Sequence, residues 1–278
     1  MSHHDDEIHD HDRGLSFDLP TLVHRRRALA LLGGAGIAAL AACSPGSGSA
    51  GSTSSTTPLA SASATTDASA STEEIPEETG GPYPADGSNG VNVLTESGIV
   101  RSDLTTSFGD ASGTAAGVPL TISLKILDVG NGGGALAGAA VYLWHCDIDG
   151  KYSLYDDSIK SENYLRGVQE ADKNGAVTFT SIYPAAYSGR WPHIHFEVYP
   201  DLAAATTASS KLRTSQIALP EKSSALVYAT SGYEQSVGNL AQTSLSTDNV
   251  FSDGYSLQMA TVTGSVTKGM TATLNVPV

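Results

Sequence analysis

Residues 193–199 read His-Ile-His-Phe-Glu-Val-Tyr, a short run with two histidines on either side of an isoleucine. Apolar and polar side chains alternate here, which is the period of a β-strand with two different faces. His193 and His195 therefore share one face, while Ile194 and Phe196 lie on the other and can pack on a core. Two imidazoles spaced in this way form a common metal-binding geometry, although two solvent-facing histidines on a half-exposed strand would give the same pattern.

Short runs rich in apolar, β-branched and aromatic residues lie on both sides of this strand. Clusters of Gly, Asn, Asp and Pro separate several of them, and no segment has a sustained apolar period of 3.6 residues. Many short strands divided by turns predict an all-β fold, an antiparallel β-sandwich or barrel. The further candidate strands are 121–127, 140–146, 177–183, 216–219, 225–229, 257–262 and 270–276.

Size and charge restrict the possible functions. The chain has 278 residues, which is enough to bury a sizeable core, and a formal net charge of −14. A nucleic-acid-binding protein would need a basic patch, so the acidic balance argues against nucleic acid as a partner. No stretch reaches the roughly 18 consecutive apolar residues that a membrane-spanning helix requires.

The N-terminal residues have the pattern of an export signal. Residues 24–43 read HRRRALALLGGAGIAALAAC, a basic region with a twin-arginine pair followed by a short apolar run. The run ends in Leu-Ala-Ala-Cys, which resembles a bacterial lipobox. We therefore expect residues 1–42 to be removed and Cys43 to carry a lipid that anchors an extracytoplasmic lipoprotein to the membrane. A secreted protein cleaved nearby, or a buried helical hairpin, would give a similar pattern.

A low-complexity segment follows Cys43. Residues 43–72 consist almost entirely of Ser, Thr, Ala, Gly and Pro with no aromatic residue, so they cannot bury enough surface to fold. A flexible segment of this length has a root-mean-square reach of about 30 Å. We interpret it as a disordered tether, and residues 73–278 as one β domain held off the membrane.

Tyrosines near the His-Ile-His strand offer further ligands. Only three of the eight histidines lie beyond residue 42, namely His145, His193 and His195. Tyr187 lies six residues before His193, and Tyr152 follows a predicted strand and turn. A phenolate is a hard anionic donor that suits Fe(III) better than zinc, but most tyrosines in β proteins are packing residues. Composition alone does not single out these two.

The order of the motifs decides between these possibilities. Val141 to Val198 resembles the intradiol ring-cleavage dioxygenases, the family of catechol 1,2-dioxygenase and protocatechuate 3,4-dioxygenase, in its exported, single-domain lipoprotein branch. Residues 78–84 (ETGGPYP) and 214–217 (TSQI) extend the resemblance, which covers roughly residues 73–278. The motifs that carry it are Trp144-His145-Cys146-Asp147, Gly150-Lys151-Tyr152-Ser153, Leu165-Arg166-Gly167, Ile182-Tyr183-Pro184, Tyr187, Gly189-Arg190 and His193-Ile194-His195.

The resemblance implies a β-sandwich with one non-haem Fe(III) ion. Tyr187 would leave the iron when substrate binds and accept a substrate proton, and Arg190 would stabilise negative charge on the ring. Gln216 would be a polar partner of the substrate. The substrates would be a catechol-type aromatic diol and O₂, and the product a cis,cis-muconate-type diacid. By the same resemblance the iron ligands are Tyr152, Tyr187, His193 and His195.

Two other functions fit parts of the pattern. A β-sandwich lipoprotein could bind aromatic or polysaccharide ligands without turnover, although such a protein would not need the whole ligand set and Arg190. A zinc hydrolase could use the histidine pair, but no obvious Asp, Glu or Cys lies near them as a third ligand, since Glu197 is on the same strand face but two residues further on. We expect His145 and Cys146 to be buried structural residues.

Overall fold

The computed structural model describes residues 73–278. The predicted leader of residues 1–42, the proposed lipidation site Cys43 and the predicted tether of residues 43–72 lie outside the described residues. Among residues 73–278, no helix has the length and apolar character needed to cross a membrane.

Within the described part of the chain, nine strands form two sheets. In chain order they are β1 (Pro119–Asp128), β2 (Gly134–Ala135), β3 (Ala140–Trp144), β4 (Arg166–Glu170), β5 (Ala176–Ile182), β6 (His193–Tyr199), β7 (Arg213–Ala218), β8 (Thr261–Ser265) and β9 (Gly269–Pro277). One sheet has the order β2-β1-β9-β8, with β5 also paired to β1, and the other has the order β4-β3-β6-β7.

The main core lies between the two sheets. Strand β1 buries every second residue, from Leu120 to Ile126, against the inward face of the other sheet. From β6, Ile194 and Phe196 belong to the same cluster, as the alternation of residues 193–199 predicts. The predicted β-sandwich is confirmed, with one difference: β1 and β9 pair in parallel over eight residues, while the other strand pairs are antiparallel.

Helices account for the main error in the predicted elements. The candidate strand at 225–229 is wrong, because Glu221–Tyr228 forms a helix with Val227 and Tyr228 buried. The candidate at 257–262 overlaps β8 only in its last two residues. Pro220 begins it, and the hydroxyls of Ser223 and Ser224 donate to the Pro220 carbonyl. A short apolar run does not distinguish a strand from one face of a short helix. Among residues 73–278 the helices are α1 (Leu202–Thr206), α2 (Glu221–Tyr228) and α3 (Glu234–Ala241), with a 3₁₀ turn at Phe251–Asp253.

The opposite face of the β4-β3-β6-β7 sheet is also buried. Tyr142 and Trp144 of β3 project from this face and pack against Val93, Leu94 and Ile99 of the N-terminal part of the domain. The histidines of β6 lie on the same face, since His195 is the register partner of Trp144. The fold therefore puts them in a second, partly polar interior rather than at the surface.

Candidate metal centre

The two histidines of β6 point at a common position. Their Nε2 atoms lie 3.1 Å apart, and both residues are buried, so they are not solvent-facing. His193 Nδ1 lies 2.6 Å from the carbonyl oxygen of Trp191, a contact that needs the proton on Nδ1 and leaves a lone pair on Nε2. His195 is held by stacking on Trp144, with ring centroids 5.0 Å apart and planes within 8°.

Burial keeps both imidazoles neutral. It lowers the pKa of His193 well below the usual range, and the positive charge of Arg190 acts in the same direction. The pKa of His195 is lowered in the same way, first by burial and then by His193. A neutral imidazole, which keeps a lone pair on one ring nitrogen, is the form that binds a metal ion.

Tyr187 comes from the loop between β5 and β6 and meets the histidines from the side. Its hydroxyl lies 3.0 Å from His193 Nε2. Gly150 allows this approach, because a Cβ at that position would lie 3.0 Å from the Tyr187 Cβ and the glycine has φ +80°. Tyr187 is only half-buried, and the next two residues, Ser188 and Gly189, are exposed.

Tyr152 completes the group from the turn that follows β3. Its hydroxyl lies 3.4 Å from that of Tyr187, and the residue is 2% exposed. Burial raises the pKa of its phenol well above the usual range, with a further contribution from Tyr187. A phenolate at this position therefore needs a cation beside it.

The spacing of the four side chains fits a metal ion. Successive donor atoms, from Tyr152 through Tyr187 and His193 to His195, are separated by 3.4, 3.0 and 3.1 Å. Two atoms each about 2.1 Å from one cation, at an angle of 90–110°, are about 3.0–3.4 Å apart. The donors are thus already spaced as ligands of one ion, and their chemistry favours a hard, highly charged one.

Arg190 and Gln216 border this group. The Arg190 guanidinium places Nη1 3.5 Å from His193 Nε2 and donates from Nη2 to Gln216 Oε1 at 2.7 Å. Gln216 lies opposite His195 in the β6–β7 register, and its Nε2 donates to the carbonyl oxygen of Thr79 at 2.9 Å. All six residues singled out as metal ligands or catalytic groups are therefore close together.

The N-terminal segment 78–84 covers the centre. Gly81 has φ +68°, and a Cβ added there would lie 3.4 Å from His195 Cε1. The Tyr83 ring packs on Tyr152 with centroids 4.9 Å apart. The buried Arg166 guanidinium donates to the carbonyl oxygens of Tyr83 and Pro84, which fixes the segment to the sheet.

Other candidate residues lie outside the group. His145 is buried with its ring nitrogens each 2.7 Å from a partner, the Cys146 carbonyl and the Ser181 hydroxyl. Cys146 is also buried, and burial raises the pKa of its thiol. Both residues occupy the structural positions that we expect from the sequence.

Comparison with known proteins finds similar chains among the dioxygenases. Residues 95–201 match the family model described as Dioxygenase. An intradiol ring-cleavage dioxygenase from Tetranychus urticae is similar to this chain with a TM-score of 0.53 and 26% identity, covering 66% of this chain and 87% of that chain. This chain is therefore similar to a dioxygenase family over residues 95–201 and to an intradiol ring-cleavage dioxygenase in structure.

Two further dioxygenase structures match this chain with lower TM-scores. The dioxygenase domain of a dioxygenase–carbohydrate-binding protein fusion from Streptomyces sp. SirexAA-E has a TM-score of 0.48 and 20% identity, covering 74% of this chain and 98% of that chain. Hydroxyquinol 1,2-dioxygenase from Pseudomonas putida has a TM-score of 0.46 and 16% identity, covering 74% and 67%.

The Glu197 carboxylate has partners other than the histidine pair. Its carboxylate is fully buried, accepts from the Tyr199 hydroxyl at 2.6 Å and is paired with Lys211 at 2.7 Å. Among residues 73–278, no group of three or more His, Cys, Asp and Glu side chains is placed to hold a metal ion. A centre built on His193 and His195 therefore depends on the tyrosines.

One residue at the site has no signal in the sequence. Asp248 is fully buried and pairs with Arg190, with Nε 3.0 Å from Oδ2. It lies 58 residues after Arg190, in the loop that follows α3, and no motif or periodicity marks it. The only available clue is its charge within a short polar stretch, Ser-Thr-Asp-Asn, which is equally typical of an exposed loop.

Proposed function

We propose that this dioxygenase uses Fe(III) to cleave catechol-type aromatics between the two hydroxylated ring carbons. O₂ is the co-substrate and a cis,cis-muconate-type diacid is the product. Both atoms of O₂ enter the product, so the reaction needs no external reductant. The observation that carries the proposal is the convergence of two phenol and two imidazole donors at separations of 3.0–3.4 Å.

Tyr152, Tyr187, His193 and His195 would hold the iron. Two phenolates and two neutral imidazoles form a dianionic donor set, which favours Fe(III) over Fe(II) and over softer divalent ions. When bound, Fe(III) supplies the Lewis acidity that activates the catecholate ring towards O₂. The protein contributes the fixed positions of these donors and a site from which most water is excluded.

Tyr187 is the tyrosine suited to move and to take up a proton. It is half-buried beside the exposed Ser188 and Gly189, whereas Tyr152 is 2% exposed and packed under the Tyr83 ring. A catechol approaching from the exposed side therefore meets Tyr187 first. The phenolate oxygen of Tyr187 would accept a proton from one substrate hydroxyl, while Tyr152, which is more deeply buried, would keep its position.

Arg190 and Gln216 act on the substrate rather than on the metal. The Arg190 guanidinium is 4% exposed, so its positive charge is little screened by water and stabilises negative charge that develops on the ring. Gln216 accepts a hydrogen bond from this guanidinium and stands beside it as a second polar group. Both are held in place before substrate arrives.

Metal analysis combined with oxygen uptake tests the proposal. We expect one iron per chain and consumption of one O₂ per catechol in a panel that includes catechol, methylcatechols, hydroxyquinol and protocatechuate. The Tyr187→Phe variant should lose most of this activity. Tyr164→Phe, which changes a buried tyrosine in a different cluster, is the matched control and should keep it. Iron-loaded protein that binds catechols without consuming O₂ would refute the proposal and favour the ligand-binding alternative.

A further inference from the structure

We propose that Asp248 is a positioning residue that fixes the guanidinium of Arg190 at the metal centre. This inference rests on the role proposed above for Arg190. The two side chains are 5% and 0% exposed, and their ion pair joins the loop after α3 to the loop before β6. Asp248 touches none of the four proposed iron ligands through the hydrogen bonds of its carboxylate, which all go to Arg190 and to backbone amides.

The carboxylate of Asp248 is itself held rigidly. Oδ2 accepts from the backbone amide of Trp191 at 2.7 Å, in addition to Arg190 Nε at 3.0 Å. Oδ1 accepts from the amides of Val250 and Phe251 at 2.8 and 3.2 Å. With both oxygens bound to main-chain donors, the carboxylate plane is fixed, and a guanidinium that binds it takes a fixed orientation.

Gln216 holds the guanidinium from a second direction. It accepts from Arg190 Nη2 at 2.7 Å while its own amide nitrogen is bound to the Thr79 carbonyl. Arg190 Nε donates to Asp248 and Nη2 donates to Gln216. The third guanidinium nitrogen, Nη1, therefore faces His193. An arginine side chain has many rotamers. The hydrogen bonds to Asp248 and Gln216 select the rotamer in which the Arg190 guanidinium points at the proposed metal centre.

Charge gives the pairing a second consequence. A buried guanidinium without a counter-charge is strongly destabilising, because burial removes its hydration. Asp248 supplies that counter-charge on the side of Arg190 away from the histidines. The cation can therefore remain in a dry site within 3.5 Å of His193 Nε2.

Asp248 also caps the turn at Phe251–Asp253, so a purely structural role has to be separated from positioning. Asp248→Asn removes the charge with little change of shape, Arg190→Gln removes the partner, and a third variant carries both changes. Val250→Ala disturbs the same loop and makes no polar contact with Arg190 through its side chain, so it serves as the matched control. All are made in the full chain and loaded with iron.

Positioning through Arg190 predicts a specific pattern. Asp248→Asn should lower kcat by about tenfold to hundredfold, with a smaller change in KM. The double variant should turn over at the rate of Arg190→Gln, because Asp248 has nothing left to orient. Val250→Ala should lower the melting temperature without this loss. Multiplicative losses in the double variant, or a loss in Val250→Ala as large as in Asp248→Asn, would overturn the inference.

Folding of the variants is informative in either direction. If Asp248→Asn fails to fold while the double variant folds, the Asp248 carboxylate is needed to neutralise the buried charge of Arg190, as we infer. If both fail to fold, the loop needs Asp248 regardless of Arg190, and the positioning role is refuted.

A measurement independent of turnover separates this inference from the proposed function. In the full chain stripped of metal, the Arg190 Nε–H group should give an NMR signal protected from exchange with water, assigned by its absence in Arg190→Gln. Asp248→Asn should abolish the protection, and its persistence would overturn the inference. A wild-type protein that turns over no catechol would refute the proposed function instead. The NMR signal would then still test whether Asp248 orients Arg190, because it does not depend on turnover.

Discussion

Tyr152 and Tyr187 have the same side chain, but the fold gives them different surroundings. Tyr152 is enclosed by the rings of Tyr83, Tyr187 and His195. Tyr187 lies at the boundary with solvent. In the proposed mechanism this difference separates a permanent ligand from an exchangeable one that also handles a proton.

The raised pKa of Tyr152 predicts how iron binding depends on pH. Its phenol is protonated at neutral pH before the metal binds, so each Fe(III) that binds must displace this proton. Protons therefore compete with iron, and affinity is lost as pH falls. The histidines release no proton, because burial lowers their pKa and they are already neutral near pH 7.

Tyr152→Phe should consequently release one proton fewer per iron than the wild type. The logarithm of its binding constant should rise by about one unit less per pH unit. Calorimetry in buffers of different ionisation enthalpy measures the difference, and hydrolysis of free iron cancels because it is common to both proteins. Equal proton release would show that Tyr152 does not bind iron as a phenolate.

At the scale of elements, strand β6 carries ligands and a structural carboxylate on the same face. His193 and His195 lie next to Tyr187 and Tyr152, and two residues later Glu197 is closed off by Lys211 and Tyr199. Burial raises the pKa of Glu197 to about 7, with Lys211 acting in the opposite direction. The first part of β6 therefore carries proposed metal ligands, and the part around Glu197 carries a structural ion pair.

Glu197→Gln should keep the metal for this reason. The amide can still accept from Tyr199, and none of the proposed donor atoms is removed. We expect unchanged iron content and a melting temperature changed by a few degrees, since the Lys211 pair is lost. His195→Gln is the comparison variant and should lose the iron. Loss of metal from Glu197→Gln would support the alternative in which this carboxylate is a ligand.

The covering segment at residues 78–84 also acts on the centre. Gly81 and Gly109 have the same φ of +68°, but only Gly81 has His195 against the position of a Cβ, and no atom lies within 4 Å of that position at Gly109. Alanine at either site therefore incurs similar backbone strain, about 1 kcal/mol. The additional contact exists only at Gly81.

We expect Gly81→Ala to weaken iron binding and Gly109→Ala to leave iron binding unchanged. Backbone strain should lower the free energy of unfolding by a similar amount in both variants. Denaturant unfolding and iron titration of both variants measure these quantities. Equal iron affinities would show that the segment covers His195 without constraining it.

The sequence predicts the strands well and the surroundings of the site poorly, for physical reasons. Alternation fixes which face His193 and His195 share, because a strand has a strict period of two. The run at 225–229 is ambiguous, since one turn of a helix buries a similar set of residues. Asp248 and the Thr79 carbonyl reach Arg190 and Gln216 only through tertiary folding, which leaves no local pattern.

At the scale of the whole molecule, the domain is proposed to work outside the cytoplasm. The predicted twin-arginine signal would export a folded protein, which suits a domain that acquires iron before export. The proposed tether of residues 43–72 would then give the domain a root-mean-square distance of about 30 Å from its anchor.

Cys43→Ala should release the protein from membranes or block its processing. We expect the wild type to partition with the membrane fraction and to begin at a lipid-modified Cys43, as mass spectrometry of the mature N-terminus would show. Ser44→Ala changes the adjacent residue without removing the thiol and should remain anchored. An unmodified mature terminus at another position would contradict the proposed anchor.

The visible absorption spectrum of the iron-loaded protein shows directly whether tyrosines bind Fe(III) at the proposed centre. A phenolate bound to Fe(III) gives a ligand-to-metal charge-transfer band, so the protein should be red to burgundy. Adding catechol without oxygen should shift the band as Tyr187 is displaced. Tyr152→Phe and Tyr187→Phe should each alter or bleach the colour, whereas Tyr164→Phe should not. A colourless protein that binds zinc stoichiometrically and does not bind iron would contradict the proposed Fe(III) centre.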